Sequence, residues 1–315
     1  MPNVDENRRT PEELSTLDLV EPGMKEVIVE GRGDAGLLRW FFSQVAPDSD
    51  IAFFAVTDRV LIDSDIITGR GHSAGQRGAV VATAEIVSER APRSSRVIFV
   101  ADRDCNSLGL DACPELGNIL YTDFAAMELY CLSPKTIGKV LSVALRAPDR
   151  IDAQGVIDAL IPTLVTLFRI RATVRSLPEP QKLAGKVMEQ LHFKPAGSDL
   201  DAEDALARSV KGYSRKELSE AFSRFEVPEN LDPRHYIRGH DIAAVFIKYI
   251  ASMHPNLLRE DRRHFAQATA MEICMMSSLE VVDLEQYGLF GRLKEYALKD
   301  LNADSADFPK LRDTA

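Results

Sequence analysis

Two short acidic phrases carry the chemistry this sequence offers. Glu30 closes the run Lys25-Glu26-Val27-Ile28-Val29 and leads into Gly31-Arg32-Gly33-Asp34; Asp102 closes Arg96-Val97-Ile98-Phe99-Val100-Ala101 and leads into Arg103-Asp104. Carboxylates gathered in one small volume repel one another unless a cation lies between them. A hard divalent ion such as Mg²⁺ answers that, because it takes oxygen ligands and keeps waters whose positions a phosphate can fill. One or two such ions can activate water, polarise phosphorus and steady the leaving oxygen of a phosphodiester. Asp104 lies two residues beyond Asp102, so both point to one side wherever the backbone stays extended. A bare D-x-D means little, since Asp63-Ser64-Asp65 repeats it after a less hydrophobic stretch. E-G-x-x-D after a first strand, paired with D-x-D after a deeply apolar one, is the more specific signal. Glu30, Asp102 and Asp104 are the candidate catalytic and metal-binding residues.

For those acids to meet, strands must present them. Glu26 to Glu30 is short and β-branched, the glycine-rich turn follows, and Ala35 to Val45 sets apolar residues at helical spacing. Ile51 to Val56 and Val60 to Ile62 read as strands, with Asp58 and Arg59 in a turn. Gly69 to Gly78 reads as a loop and Ala79 to Arg90 as a helix. The apolar run to Ala101 suits a strand covered on both faces, and Ile119 to Tyr121 is another strand, with a helix beginning at Ala125. In parallel sheets, sites form outside the carboxyl ends of strands where strand order reverses. After Ala147-Pro148-Asp149-Arg150 strand signals vanish. Amphipathic helices are expected over Ile151 to Leu177, with a kink or break at Pro162, and over Gln181 to Leu191, Arg215 to Phe225, Gly239 to His254 and Arg259 to Leu279. The expected organisation is a polar arm over 1–24 carrying one short amphipathic piece, an α/β domain over 25–146 and an all-helical domain over 147–315.

Composition narrows the function. The 315 residues are 45% apolar and 27% charged, which suits a chain that buries a core. Net charge is −10, so the chain cannot coat nucleic acid by bulk charge and would meet phosphate through metal or a local basic groove. No uninterrupted run of about 20 apolar residues is present, the first residues lack the apolar core of a secretory signal, and Cys105, Cys113, Cys131 and Cys274 fit neither a disulfide scaffold nor a zinc ribbon. A cytoplasmic protein with no membrane attachment is expected.

Val27-Ile28-Val29-Glu30-Gly31-Arg32-Gly33-Asp34 resembles the first motif of TOPRIM domains, hydrophobics before Glu-Gly, and Val97 to Asp104 is similar to their second, a strand followed by D-x-D. Gly75-Gln76-Arg77-Gly78-Ala79-Val80-Val81, Asn118-Ile119-Leu120-Tyr121-Thr122-Asp123 and Glu128 look like one bacterial TOPRIM-like branch, whose genes often lie beside OLD/ABC-type ATPases. That branch includes the effector subunit of PARIS-type anti-phage systems. The resemblance covers about residues 25 to 135; in the second half it rests on Tyr236-Ile237-Arg238-Gly239-His240-Asp241-Ile242. It implies a TOPRIM-like Rossmannoid α/β fold with a parallel sheet flanked by helices. It also implies that Asp102 and Asp104 bind Mg²⁺, for which Mn²⁺ can substitute, and that Glu30 is a further ligand or the general acid-base. Asp34 and Glu128 would be supporting acidic positions. No lysine near the motifs matches the one many nucleases use against transition-state charge; Arg77 and Arg103 are the candidate substitutes, and Arg32 a candidate phosphate contact.

The implied activity is Mg²⁺-dependent phosphodiester hydrolysis by an anti-phage toxin effector, with transfer RNA or DNA as substrate and a separate ABC/OLD-type ATPase in control. Homo-oligomerisation would run through the helical half. The alternatives are a non-catalytic interaction or nucleic-acid-binding module on the same fold, and a DNA- or RNA-processing TOPRIM protein. Hydrolysis is expected over topoisomerase or primase activity, because the helical second half is a poor candidate for a gate domain with a nucleophile and the cysteine spacing does not fit the zinc ribbon primases usually carry. Three basic groups, Arg169/Arg171/Arg175, Arg208/Lys211/Arg215/Lys216 and Arg259/Arg262/Arg263, could bind phosphate but read first as solvated helix faces. His240-Asp241 reads as a helix start, Asp241 the N-cap and His240 structural. Met271, Met275 and Met276 with Ile273 read as core or an oligomer face. The glycines of 69–78 are not followed by Gly-Lys-Ser/Thr and form no P-loop.

Overall fold

The chain is seen in a computed structural model that describes residues 7–21, 23–91, 96–178, 186–189, 191–195 and 197–298. These divide into two compact units. One runs up to Asp102, resumes over Cys113–Asp123 and takes the chain from Val281 on; the other holds Arg103–Ala112 and Phe124–Glu280.

The first unit is built on a sheet of four parallel strands, β1 (Glu26–Val29), β2 (Ala52–Ala55), β3 (Val97–Ala101) and β4 (Ile119–Tyr121), in the order β2-β1-β3-β4. Every residue of β1 and β3 is buried, which is why Val27–Val29 and Val97–Ala101 read as unbroken apolar runs rather than alternating ones. Helices α1 (Pro11–Val20), α2 (Arg32–Val45), α3 (Ser64–Gly69) and α4 (Gln76–Arg90) accompany the strands. From β1 the chain steps one way to β2, then crosses back past β1 to β3. Strand order therefore reverses between β1 and β3.

Local differences from expectation have local causes. The arm over 1–24 contains a real helix: Thr10 and Glu13 form a reciprocal capping box, Leu14 is fully buried in the sheet core, and Asp18 accepts the Arg96 N–H. Residues 1–6 lie outside the described residues. The strand expected at Val60 to Ile62 is a single bridge from Val60 to Arg9, preceded by a helical turn over Val56–Arg59. There Arg59 is drawn inward by a forked bond to Glu26 at 2.9 and 2.6 Å. The loop after Gly69 is shorter than expected, because α4 starts at Gln76.

The second unit is mainly helical: α5 (Pro134–Lys139), α6 (Ala153–Ser176), α7 (Ala202–Ser209), α8 (Arg215–Ser223), α9 (Gly239–Met253) and α10 (Ala268–Met276). It is not all-helical, because Phe193–Lys194 and Gly197–Ser198 pair as an antiparallel ribbon. Gln181 to Leu191 is described only in part, with helix over Lys186–Glu189. The stretch from Arg259 divides into a 3₁₀ segment, Glu260–Ala266, and α10. Helix α6 is capped by Asp152 and stays helical through Pro162. The proline's cost of about 3 kcal/mol is offset by the buried Leu160, Leu164, Leu167 and Phe168 around it. At 24 residues α6 is the one described helix long and apolar enough to cross a membrane. Its arginines are held within its own unit: Arg169 Nε donates to the Phe225 carbonyl at 3.0 Å, Arg171 forks onto Asp241, and Arg175 forks onto Asp111.

The last helix, α11 (Gly288–Leu298), belongs with the sheet. Asp123 caps it, accepting the Gly288 and Leu289 N–H groups at 3.0 and 3.1 Å, and Phe290 packs edge-on to Phe41 of α2. The expected boundary near 146 therefore does not divide the chain: α11 presents Leu289, Phe290 and Leu293 to the sheet unit and buries all three.

Candidate functional site

Glu30 and Asp102 sit immediately beyond the carboxyl ends of β1 and β3, adjacent parallel strands whose register pairs Val29 with Val100. The Asp102 backbone N–H donates to Glu30 Oε1 at 2.7 Å. This contact spans 72 residues of sequence and lies at the crevice where strand order reverses, the position at which open α/β sheets bind ligands. The Asp102 carbonyl is fixed as well, accepting from Arg77 Nε at 2.9 Å, while Arg77 Nη2 reaches Cys113 Sγ at 3.4 Å. Arg77, expected as a phosphate contact, thus positions the strand end that carries Asp102.

The Glu-Gly-x-x-Asp phrase has a structural grammar. Gly31 is the N-cap of α2 and its N–H donates to Asp34 Oδ2 at 2.9 Å. A Cβ at Gly31 would lie 3.1 Å from that oxygen, so glycine gives Asp34 room to return onto the helix start. Asp34, expected as a supporting acid, acts as this cap. Arg32 forks onto Asp58 at 2.8 and 2.7 Å on the surface; the Asp58 carboxyl is held below its usual range by that bond.

Asp104 belongs to the second unit and is described there. Its φ is +48°, left-handed backbone that an aspartate tolerates better than most residues, and its N–H donates to the Ala125 carbonyl at 2.9 Å. The extended geometry that would set Asp104 on the side of Asp102 ends at Ala101. The same-side argument from a two-residue period therefore does not hold, because the chain turns at Arg103, whose carbonyl accepts the Asn106 N–H. Asp111 steadies this turn, accepting the Cys105 N–H at 3.2 Å while pairing with Arg175.

A second group of candidate ligands lies in the helical unit. Glu128, expected as a supporting acid, sits in the 3₁₀ turn Met127–Cys131. Its Oε1 is 2.9 Å from His240 Nδ1, and Glu272 Oε2 is 3.7 Å from the same nitrogen. One donor atom from each of the three lies within 4.8 Å of the others. Burial works against the Glu128 charge, yet the His240 hydrogen bond and the charges of His240 and Arg238 bring its carboxyl below the usual value. Burial first and the Glu128 charge second push the Glu272 carboxyl up, while the bond to Glu128 raises the His240 imidazole. An adjoining pocket is lined by Cys131, Ile242, Met275 and Met276, with the Cys131 and Met276 sulfurs 3.3 Å apart.

The Gly-His-Asp phrase reads differently in space. The N-cap of α9 is Arg238 rather than Asp241; Asp241 lies inside the first turn, buried, with its carboxylate turned onto Arg171. Met271 and Met275 are core, whereas Ile273 faces outward. Glu272 was missed by sequence reasoning, although a lone acid within Ala-Thr-Ala-Met-Glu-Ile-Cys-Met-Met is a visible anomaly. Of the basic groups, Arg208 and Arg215 both pair with Asp204, and Arg262 donates to the Leu145 carbonyl.

No protein-family model and no curated protein matches the chain. The sheet topology and side-chain geometry stand on their own.

Proposed function

We propose that this chain is a metal-dependent phosphodiesterase whose active site is the β1/β3 crevice, in a TOPRIM-like sheet. The observation that carries the reading is the Glu30 carboxylate bound to the Asp102 backbone across the point where strand order reverses. Acids at that position are the hard oxygen donors that Mg²⁺ takes, so the residues fit the ion. Asp102 and Glu30 would hold it. A bound ion would supply activated water and offset charge on the reacting phosphate. The chain's own part is positional: Glu30 sets the Asp102 backbone, Arg77 holds the Asp102 carbonyl, and Asp34 fixes the start of α2 behind Glu30. An acidic chain that meets phosphate through metal accounts for a net charge of −10. Resemblance in the two acidic phrases supports an anti-phage effector acting on transfer RNA or DNA under a separate ATPase.

A non-catalytic module on the same sheet is the second reading, and one observation favours it. Arg32 and Arg77 beside the acids, and Arg169, Arg171 and Arg175 elsewhere, are engaged within the chain. The test is cleavage of transfer RNA, plasmid and single-stranded DNA by purified protein in Mg²⁺, Mn²⁺ or EDTA. Cutting that needs metal and Asp102 supports the phosphodiesterase; no cutting of any of them leaves the interaction module.

A further inference from the structure

Three ligand-bearing side chains converge in the helical unit from segments distant in sequence. Glu128 comes from a 3₁₀ turn, His240 from the first turn of α9 and Glu272 from the middle of α10. We propose that Glu128, His240 and Glu272 form a binding site for a divalent transition ion such as Zn²⁺, separate in its ligands from Glu30 and Asp102.

Geometry is the first support. Any three atoms no more than 4.8 Å apart share a point within about 2.8 Å of each, against Zn–N and Zn–O bonds of about 2.0–2.2 Å. Shifts of less than an ångström, opening the 2.9 Å Glu128–His240 contact and drawing Glu272 in, complete the set. Donor chemistry is the second. An imidazole nitrogen beside two carboxylates suits Zn²⁺ or Mn²⁺, whereas Mg²⁺ prefers oxygen alone and keeps its waters. The partial positive charge at the start of α9 opposes a cation, and the two carboxylates outweigh it.

The surroundings are shaped to hold the ligands. A Cβ at Gly239 would collide with the Glu128 carboxylate and lie 3.0 Å from the Ala126 side chain. Glycine therefore lets Glu128 lie against the backbone of α9 and fixes where its oxygens sit. Glu128 is 14% exposed and Glu272 35%, while His240 is 60% exposed. The site is closed on the protein side and open to solvent past His240, so a bound ion would keep open positions as catalytic zinc does.

The experiment is Zn²⁺ titration of the full chain after chelator treatment, in wild type and in a Glu30→Gln/Asp102→Asn double variant, with excess Mg²⁺ as competitor. The expected result is one Zn²⁺ that persists in the double variant and is not displaced by Mg²⁺. His240→Ala and Glu272→Gln should each weaken it by more than the roughly 10–100-fold that outer-shell changes cost. His240 is largely exposed, so its removal leaves the fold intact; Co²⁺ absorption bands that change on His240→Ala would report the imidazole directly. Three results would each overturn the proposal: no Zn²⁺ bound by wild type, Zn²⁺ lost with the double variant, or Zn²⁺ bound unchanged by His240→Ala. The first leaves the cluster as a proton-held ion pair. The second would move the ion to the β1/β3 crevice; the first and third do not bear on cleavage by Glu30 and Asp102, whose test is separate.

Discussion

Glu30 does two things that substitutions can separate. Its charge is proposed to help hold metal, and its Oε1 accepts the Asp102 N–H at 2.7 Å. Glu30→Gln removes the charge but keeps an acceptor, exchanging a charge-assisted hydrogen bond of about 1.5–3 kcal/mol for a neutral one of about 0.5–1.5 kcal/mol. Glu30→Ala leaves the N–H without that acceptor, a cost of about 1–3 kcal/mol; Glu30 is only half-buried, so water brings it toward the lower figure. Thermal unfolding should thus rank wild type, Glu30→Gln and Glu30→Ala in falling order, with about 1 kcal/mol between neighbours. Cleavage should rank differently. Both variants lose the carboxylate and should lose about 10²–10⁴ in rate if it acts in acid-base catalysis. The assay is a time course on the best of the three nucleic acids, beside circular dichroism melts of the same preparations. A Glu30→Gln protein that cuts at the wild-type rate in Mg²⁺ refutes the chemistry, and one that melts like Glu30→Ala refutes the hydrogen-bond argument.

Other consequences follow from particular contacts. Arg77→Ala, which releases the Asp102 carbonyl, should lower cleavage by about 10–100-fold as loss of an orienting partner does, while a circular dichroism spectrum stays unchanged. Gly239→Ala should displace the Glu128 carboxylate and abolish the proposed zinc binding while leaving Mg²⁺-dependent cleavage in place, read by titration and nuclease assay. Asp241→Ala, which strands the partly buried Arg171, should destabilise by about 3–5 kcal/mol in a denaturant melt, and replacing both partners with apolar residues should cost less. Deleting residues 1–24 removes Leu14 from the sheet core and should lower the melting midpoint, whereas a solvated arm would leave it unchanged.

Much of the sheet was legible because its strands obey local rules. Val27–Val29 of β1 and all of β3 are buried on both faces and read as apolar runs, and β4 falls at Ile119–Tyr121 as expected; the helix after β1 starts at Arg32, three residues before the expected Ala35, because Gly31 and Asp34 cap it. The acids at the ends of β1 and β3 were legible for the same reason, and the register of these neighbours brings them together. What escaped the sequence depends on distant partners. Nothing near Val60 shows that Arg59 will be captured by Glu26, nor does anything in PEELSTLDLV show that Leu14 will find a core. Asp104 was placed by a period of two that holds only while the strand lasts, and the chain turns at Arg103. His240 and the lone acid Glu272 stand out in sequence, but only the fold of the helical unit sets them beside Glu128.

Mg²⁺ binding by calorimetry, wild type against a Glu30→Gln/Asp102→Asn double variant and against His240→Ala, probes the β1/β3 crevice most directly. The account predicts that the double variant loses at least about two orders of magnitude in affinity, about 2.7 kcal/mol, and that His240→Ala binds as wild type does. Equal Mg²⁺ affinity in wild type and double variant would contradict it.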